Sequence, residues 1–294
     1  MEILIERGYV DFIRLDSGGQ ANVYKTMKDG KQYAIKVVQV DLNKPQAKLD
    51  KDLKRELTIM HGLRHPNCMA VVDLFRTRIR VYIVMNFMPN GNIGNRVRKS
   101  GPLCEWNVKC WWPPIVRAVR YLHLNKIAHR DLKLDNILLD QHFNPIVSDF
   151  GFSRFIELDD NGQQLPLNET FCGTLSHHSP QMLMRQPYLP FGVDVWCLGI
   201  MFFIMLNQKY PFEKREGKQR MYQRQMEKDY HLKPEIKTKV SQQATQMIDF
   251  LLEPNQTLRP NVDQICQHPW FPIAHLQLEL KEQLRKKNKI EFIE

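Results

Sequence analysis

The chain changes its hydrophobic period once, at Pro89-Asn90-Gly91-Asn92. Before this break, apolar residues fall in short β-rich runs. FIRLDS and ANVYKTM flank a Gly18-Gly19 turn, Lys28-Asp29-Gly30-Lys31 makes a second tight turn, and QYAIKVVQV follows. These read as two or three antiparallel strands in succession, with CMAVVDLF and VYIVMNF as a further pair. Between them, residues 45–62 carry apolar side chains at 49, 53, 57 and 60, a helical spacing that opens near Pro45 and closes near Gly62. After the break the pattern is mostly helical, over 104–125, 192–207, 216–228, 241–252 and 261–267. A β-rich small lobe and a helical large lobe, joined by a hinge, make an α+β protein with a cleft between the lobes. One stretch conflicts with its own pattern. EWNVKCWWPPIVRAVRYLHLNK has helical spacing with Pro113-Pro114 in its middle. An interior proline removes a backbone hydrogen bond and costs about 3 kcal/mol, so the helix is expected to kink there or to begin again.

Composition bears on compartment and partners. No run approaches the roughly 18 to 20 apolar residues that span a bilayer, and MEILIERGYVDF is charged at Glu2, Glu6 and Arg7 without a signal-peptide core. The six cysteines show no CxxC spacing, which fits reduced thiols better than disulfides or a zinc site. The expected location is the cytoplasm, with the nucleus open as an alternative, and the Asn168 and Asn255 glycosylation sequons read as coincidence. A net charge of +10 calls for a partner, and basic residues are dense at 44–55, 76–80, 96–99 and 281–289. These runs are scattered and carry few aromatics, so they read as solvated helix faces rather than a specific nucleic-acid surface.

The stretch richest in chemistry is HRDLKLDNILLD, 129–140, followed by SDFGFS, 148–153. Phosphoryl transfer needs a carboxylate to accept a hydroxyl proton, a cation near the transferred group, and oxygen ligands for Mg²⁺. Asp131, Lys133, Asn136 and Asp149 supply these types, and Asp and Asn oxygens suit a hard cation. The two motifs resemble the catalytic loop and magnesium loop of the protein kinases. The resemblance runs from about residue 9 to 271, with a small lobe over 9–88, a hinge near 86–91, a large lobe over 92–271 and a basic helical tail at 272–294. It implies a two-lobed fold with one regulatory helix in the small lobe. YAIK, 33–36, places Lys36 as the lysine that pairs with the nucleotide phosphates, and Glu56 as the helix residue that holds it. Asn136 and Asp149 are the implied Mg²⁺ ligands. Leu15, Gly18, Gly19, Val23, Ala34, Met85, Phe87, Met88 and Leu138 are the implied ATP contacts. Met60, His129 and Phe150 resemble members of the hydrophobic column, DVWCLGI at 194–200 the segment that buries an aspartate under the catalytic loop, and Arg259-Pro260 with HPWF at 268–271 the end of the domain.

Within the family, Lys133, LDNILLDQHFN at 134–144 and TFCGT at 170–174 resemble the testis-specific serine/threonine kinases. That resemblance implies protein substrates with Ser or Thr acceptors and an upstream kinase acting on Thr170, whose phosphate would dock on Arg130. It also places Thr174 beside Asp131. Several positions depart from the pattern. Asp16 and Ala21 stand at glycine positions of the phosphate loop, Gln181 replaces a glutamate that pairs with the arginine at 259, His177 replaces a tyrosine, and Asn92 replaces an acidic residue. These departures leave a second reading open, a pseudokinase-like scaffold that binds ATP and turns it over poorly.

Overall fold

The computed structural model describes residues 2–17, 21–39, 58–59, 61–167 and 171–271. Gly18, Gly19, Glu56, Met60, Thr170 and the tail at 272–294 lie outside the described residues.

The small lobe is built on turn chemistry. β1 (Val10–Ser17) pairs with β2 (Ala21–Lys28), and β2 pairs with β3 (Lys31–Gln39) in register from Ala21 opposite Val38 to Lys28 opposite Lys31. Asp29 and Gly30 both take positive φ, 49° and 71°, the two-residue turn whose twist matches its strands. β4 (Val71–Arg76) and β5 (Arg80–Asn86) complete an antiparallel sheet of order β1-β2-β3-β5-β4.

The pleat sorts β3 by parity. Ile35 and Val37 face one side, where they pack with Phe75, Tyr82, Val84, Tyr9 and Leu4. Ala34 and Lys36 face the other, opposite Met85 and Ile83 of β5. Leu4, fully buried, belongs to a short helix, α1 (Glu2–Glu6), that closes the outer cluster. Arg7 stacks over the Phe75 ring at 4.0 Å and pairs with Asp73. Of the helix expected over 45–62, residues 58, 59, 61 and 62 are described and are helical.

The large lobe contains α2 (Ile93–Ser100), α3 (Glu105–Leu124), α4 (Pro180–Leu183), α5 (Pro190–Asn207), α6 (Lys218–Met226), α7 (Pro234–Lys237), α8 (Gln242–Leu251) and α9 (Val262–Gln267). α2 carries only Ile93 and Val97 as buried apolar side chains and is absent from the pattern expected above; its signal is the Asn92 cap, whose Oδ1 accepts from the Asn95 N–H at 2.7 Å.

One expectation is narrowed and one corrected. α3 runs unbroken through Pro113 and Pro114 and does not begin again after them. Residues 110 to 116 are all buried, so packing on every side holds the helix where its backbone bonding is weakest. α5 is long and apolar enough by composition to cross a membrane, contrary to the reading that no run approaches that length, but most of it is buried within the lobe. It is the core helix. Gly199 lets it lie against α8, since a Cβ there would fall 2.7 Å from Leu252 Cδ2.

Candidate active site

The catalytic loop hangs from one buried carboxylate. Asp194, in the first turns of α5 and with no exposed surface, accepts from the backbone N–H of His129 and of Arg130, each at 2.8 Å, and lies 3.0 Å from His123 Nε2. Those bonds hold Arg130 in the left-handed region at φ 66°, a conformation that costs a non-glycine residue on the order of 1 kcal/mol or more. His129 is wired on both sides. Its Nδ1 accepts from the Asp131 N–H at 3.3 Å, which leaves the proton on Nε2 to be donated to the Ser148 carbonyl at 3.0 Å. The ring also meets Phe150 at 5.3 Å.

These contacts present Asp131 at the cleft. Its Oδ2 accepts from Lys133 Nζ at 2.7 Å and from Asn136 Nδ2 at 3.2 Å. Its Oδ1 accepts from the Thr174 N–H at 3.0 Å and from Thr174 Oγ1 at 2.9 Å. Gly173 allows this approach: it sits at φ 91°, and a Cβ would fall 2.7 Å from the Arg130 carbonyl. Asn136 Nδ2 also donates to the Asp131 carbonyl at 2.9 Å, which fixes the amide and points its Oδ1 elsewhere.

Lys36 reaches across from β3 to Asp149 Oδ1 at 2.8 Å. Burial pushes the Asp149 carboxyl up, but Lys36, His129 and Lys133 outweigh it and hold the group below its ordinary value. Asp149 is therefore ionised at neutral pH. It and the Asn136 amide are a hard-oxygen donor pair, a donor set that fits Mg²⁺ on a phosphate-bearing ligand. Among the described residues, no group of three or more His, Cys, Asp or Glu gathers to hold a metal alone.

None of the expected adenine contacts is fully buried. Leu15 is exposed, while Val23, Ala34, Met85, Phe87, Met88 and Leu138 are each partly open, as apolar walls of a cleft are. Leu138, on β6 (Ile137–Leu139), is set beside the hinge by bonds between Leu139 N–H and Gly91 O and between Asn90 N–H and Leu139 O. A separate cavity of about 620 Å³ shares Phe87 and Met88 with this set, but is otherwise lined by residues such as His65, Met69 and Gln141 and by neither Lys36 nor Asp149.

In the activation segment, Arg130 donates through Nε to the Phe152 carbonyl at 2.8 Å and meets the Tyr188 hydroxyl. Its buried Nη1 has no partner among the described residues. Burial raises the Cys172 thiol, which makes it a poor nucleophile. Sequence reasoning missed Arg98, which sits on α2 and pairs with Asp135 at the cleft edge; the basic run at 96–99 was its only trace.

The protein kinase domain family matches residues 9–271. Testis-specific serine/threonine-protein kinase 1 of Mus musculus is 31% identical over 270 residues, which cover 91% of this chain and 73% of that protein. CBL-interacting serine/threonine-protein kinase 15 of Arabidopsis thaliana is 32% identical, over 92% of this chain and 62% of its own length. Hormonally up-regulated neu tumor-associated kinase homolog B of Xenopus laevis is 33% identical, over 82% and 38% respectively.

Proposed function

From the premise that this chain belongs to the protein kinase family, as an ATP-dependent serine/threonine kinase resembling the testis-specific kinases, we propose how its residues divide the work. Asp131 orients the acceptor hydroxyl and takes its proton, and its bonds to Thr174 and Lys133 fix where that hydroxyl can sit. Lys133 offsets negative charge on the group in transit. Lys36 holds the nucleotide phosphates, and Glu56 steadies Lys36. Asn136 and Asp149 would hold Mg²⁺, which supplies charge neutralisation on the phosphates when bound. Leu15, Val23, Ala34, Met85, Phe87, Met88 and Leu138 enclose the adenine, with Gly18 and Gly19 over the phosphates.

The observation that carries this reading is the convergence on Asp131 of Lys133 and Asn136 from its own loop and of Thr174 from a distant stretch, with an ionised Asp149 already paired to Lys36. Regulation is proposed through phosphate on Thr170. The support is Arg130, a buried cation whose Nη1 has no partner among the described residues and which a phosphate would satisfy.

The test is phosphate transfer from labelled ATP and Mg²⁺ to a generic protein and to the chain itself, with Asp131→Asn as the blank. Transfer above the blank is expected, and Thr170→Ala should lower it. Transfer at blank level from Thr170-phosphorylated protein that still gains thermal stability from ATP would favour the scaffold reading, which Asp16 and Ala21 in the phosphate loop motivate.

A further inference from the structure

Phosphate transfer makes no use of the cavity of about 620 Å³ beside the hinge. Four stretches of chain meet there: the β2–β3 turn at 30–32, residues 65–70 ahead of β4, the hinge at 86–89, and the hairpin that joins β6 to β7 (Pro145–Val147). Both lobes and the hinge share one space, the kind of place where small ligands bind. Its volume falls in the usual range of roughly 300–1,000 Å³ for such sites. Neither Lys36 nor Asp149 lines it, so a molecule here and a nucleotide need not compete.

The lining determines what would fit. Asn86, the last residue of β5, has a buried Oδ1 with no hydrogen-bond partner among the described residues. A buried bare acceptor costs free energy until a donor reaches it. The neighbouring polar groups are engaged elsewhere. Asp140 Oδ1 accepts from the backbone N–H groups of His142 and Asn144, each at 2.8 Å, and Oδ2 from Asn144 Nδ2 at 2.9 Å. The Gln141 amide lies 3.1 Å from the His142 ring. His65 Nδ1 accepts from the Asn67 N–H at 3.1 Å while its ring stacks on Tyr121. Burial and the Arg117 charge hold that imidazole below its ordinary value, so it is neutral. Burial pushes the Cys68 thiol up to about 12, and it is neutral too. The formal charges left in the lining are Lys31 and Asp140, one of each sign. Met69, Phe87, Met88 and Ile146 make much of the rest apolar, and thioethers and aromatic rings pack well on flat ring systems.

We infer that this cavity is a second ligand site, and that it takes a neutral, planar heteroaromatic molecule whose ring N–H donates to Asn86 Oδ1. The same ring without that N–H would bury the oxygen unmet. An anion would meet both the bare Oδ1 and the Asp140 carboxylate. A cation would meet Lys31, and the Asp140 carboxylate is already spent on its own turn.

Indole and 1-methylindole are matched probes, one body with and without the N–H. Their binding to the full chain is read by ligand-observed NMR and by thermal melting, with ADP and Mg²⁺ at saturation to occupy the nucleotide cleft. Indole should bind about tenfold more tightly than 1-methylindole. At roughly ten times its dissociation constant it should raise the melting midpoint by about 3 °C. Asn86→Leu should bring the two probes level. Ala70→Trp, at an exposed position on the cavity wall, should block both, and it decides the matter if the Asn86 variant does not fold. No binding, equal binding of the two probes to wild type, displacement of indole by ADP, or binding that survives Ala70→Trp overturns the inference. The outcome is independent of phosphate transfer: a chain that transfers none and still discriminates between the probes keeps this site.

Discussion

Two of the charges buried in the large lobe, Asp194 and Arg259, are provided for differently. Asp194 lies under the catalytic loop with no exposed surface and is met by two backbone N–H groups and His123. Arg259 lies at the base of the lobe, 7% exposed, and pairs with no carboxylate among the described residues. Its Nε donates to the Glu253 carbonyl at 2.8 Å, Nη1 to the Gly192 carbonyl at 3.0 Å, and Nη2 to the Pro254 carbonyl and Gln181 Oε1 at 3.1 and 3.2 Å. The Trp196 ring adds a face at 5.0 Å. Burial pushes this guanidinium down to about 9, against the opposing pull of Cys197 and Glu253. The surroundings repeat the contrast. Around Asp131 nearly every oxygen has a donor, whereas the indole N–H of Trp196, beside Arg259, and that of Trp112 in the core have no partner among the described residues, and α3 carries two prolines. Polar bonding is strict around the carboxylates that carry and hold the catalytic loop, and slack in the lobe's interior and in the segment at 177–179, where bare atoms lie.

The largest test removes the strict charge. Asp194→Ala leaves two buried N–H groups bare and frees Arg130 from its left-handed conformation. A loss of about 3–5 kcal/mol is expected, which for a domain of this size lowers the melting midpoint by about 10 °C, with phosphate transfer falling to the Asp131→Asn blank. Melting within two or three degrees of wild type (roughly 1 kcal/mol) would break the comparison. Next comes a test on the slack side. Pro113→Ala with Pro114→Ala returns two N–H donors, to the carbonyls of Lys109 and Cys110. After the loss of some buried ring surface, a gain of about 2 kcal/mol, or roughly 5 °C, is expected in thermal melts. Polar replacements such as arginine are unsuitable here, because both positions are buried.

What the sequence disclosed follows the same division. The catalytic loop, Asp149 and Asp194 were legible because fixed chemistry fixes residue types at fixed spacing, and the helices at 192–207 and 241–252 because their apolar period is long enough to read. α1 was not legible. Five residues hold one turn of helix, and Leu4 shows its burial only once the outer sheet face is assembled around it. The sequence left α3 open between a kink and a restart because local rules put a boundary at prolines, and packing by Trp111, Trp112, Ile115 and Val116 keeps it continuous. The Arg98–Asp135 pair joins residues 37 apart, which no local pattern encodes. The bare atoms at 177–179 are invisible in sequence for the same reason, since being unpartnered is a property of surroundings.

A smaller effect is expected at the base of the lobe. Gln181→Glu gives Arg259 a countercharge and gives up the bond from Gln181 Nε2 to the Pro254 carbonyl at 2.8 Å. A net gain of about 1 kcal/mol, a rise of roughly 2–4 °C, is expected at neutral pH.

The pH dependence of that gain sharpens the point further. In wild type the folded guanidinium titrates near 9, below its value in the unfolded chain. Below about pH 9 both states hold the proton, and the folded state bears the full cost of the buried charge. Above it the unfolded chain binds more protons, so this group's contribution to wild-type stability rises with pH. The glutamate raises the folded value towards the ordinary one and removes that rise. The variant's advantage should therefore be level from about pH 6 to 8 and narrow by one or two degrees (under about 1 kcal/mol) near pH 10, read as the difference between paired melts. An advantage that stays constant to pH 10 would mean that the backbone carbonyls already satisfy Arg259, and that the two buried charges are equally well provided for.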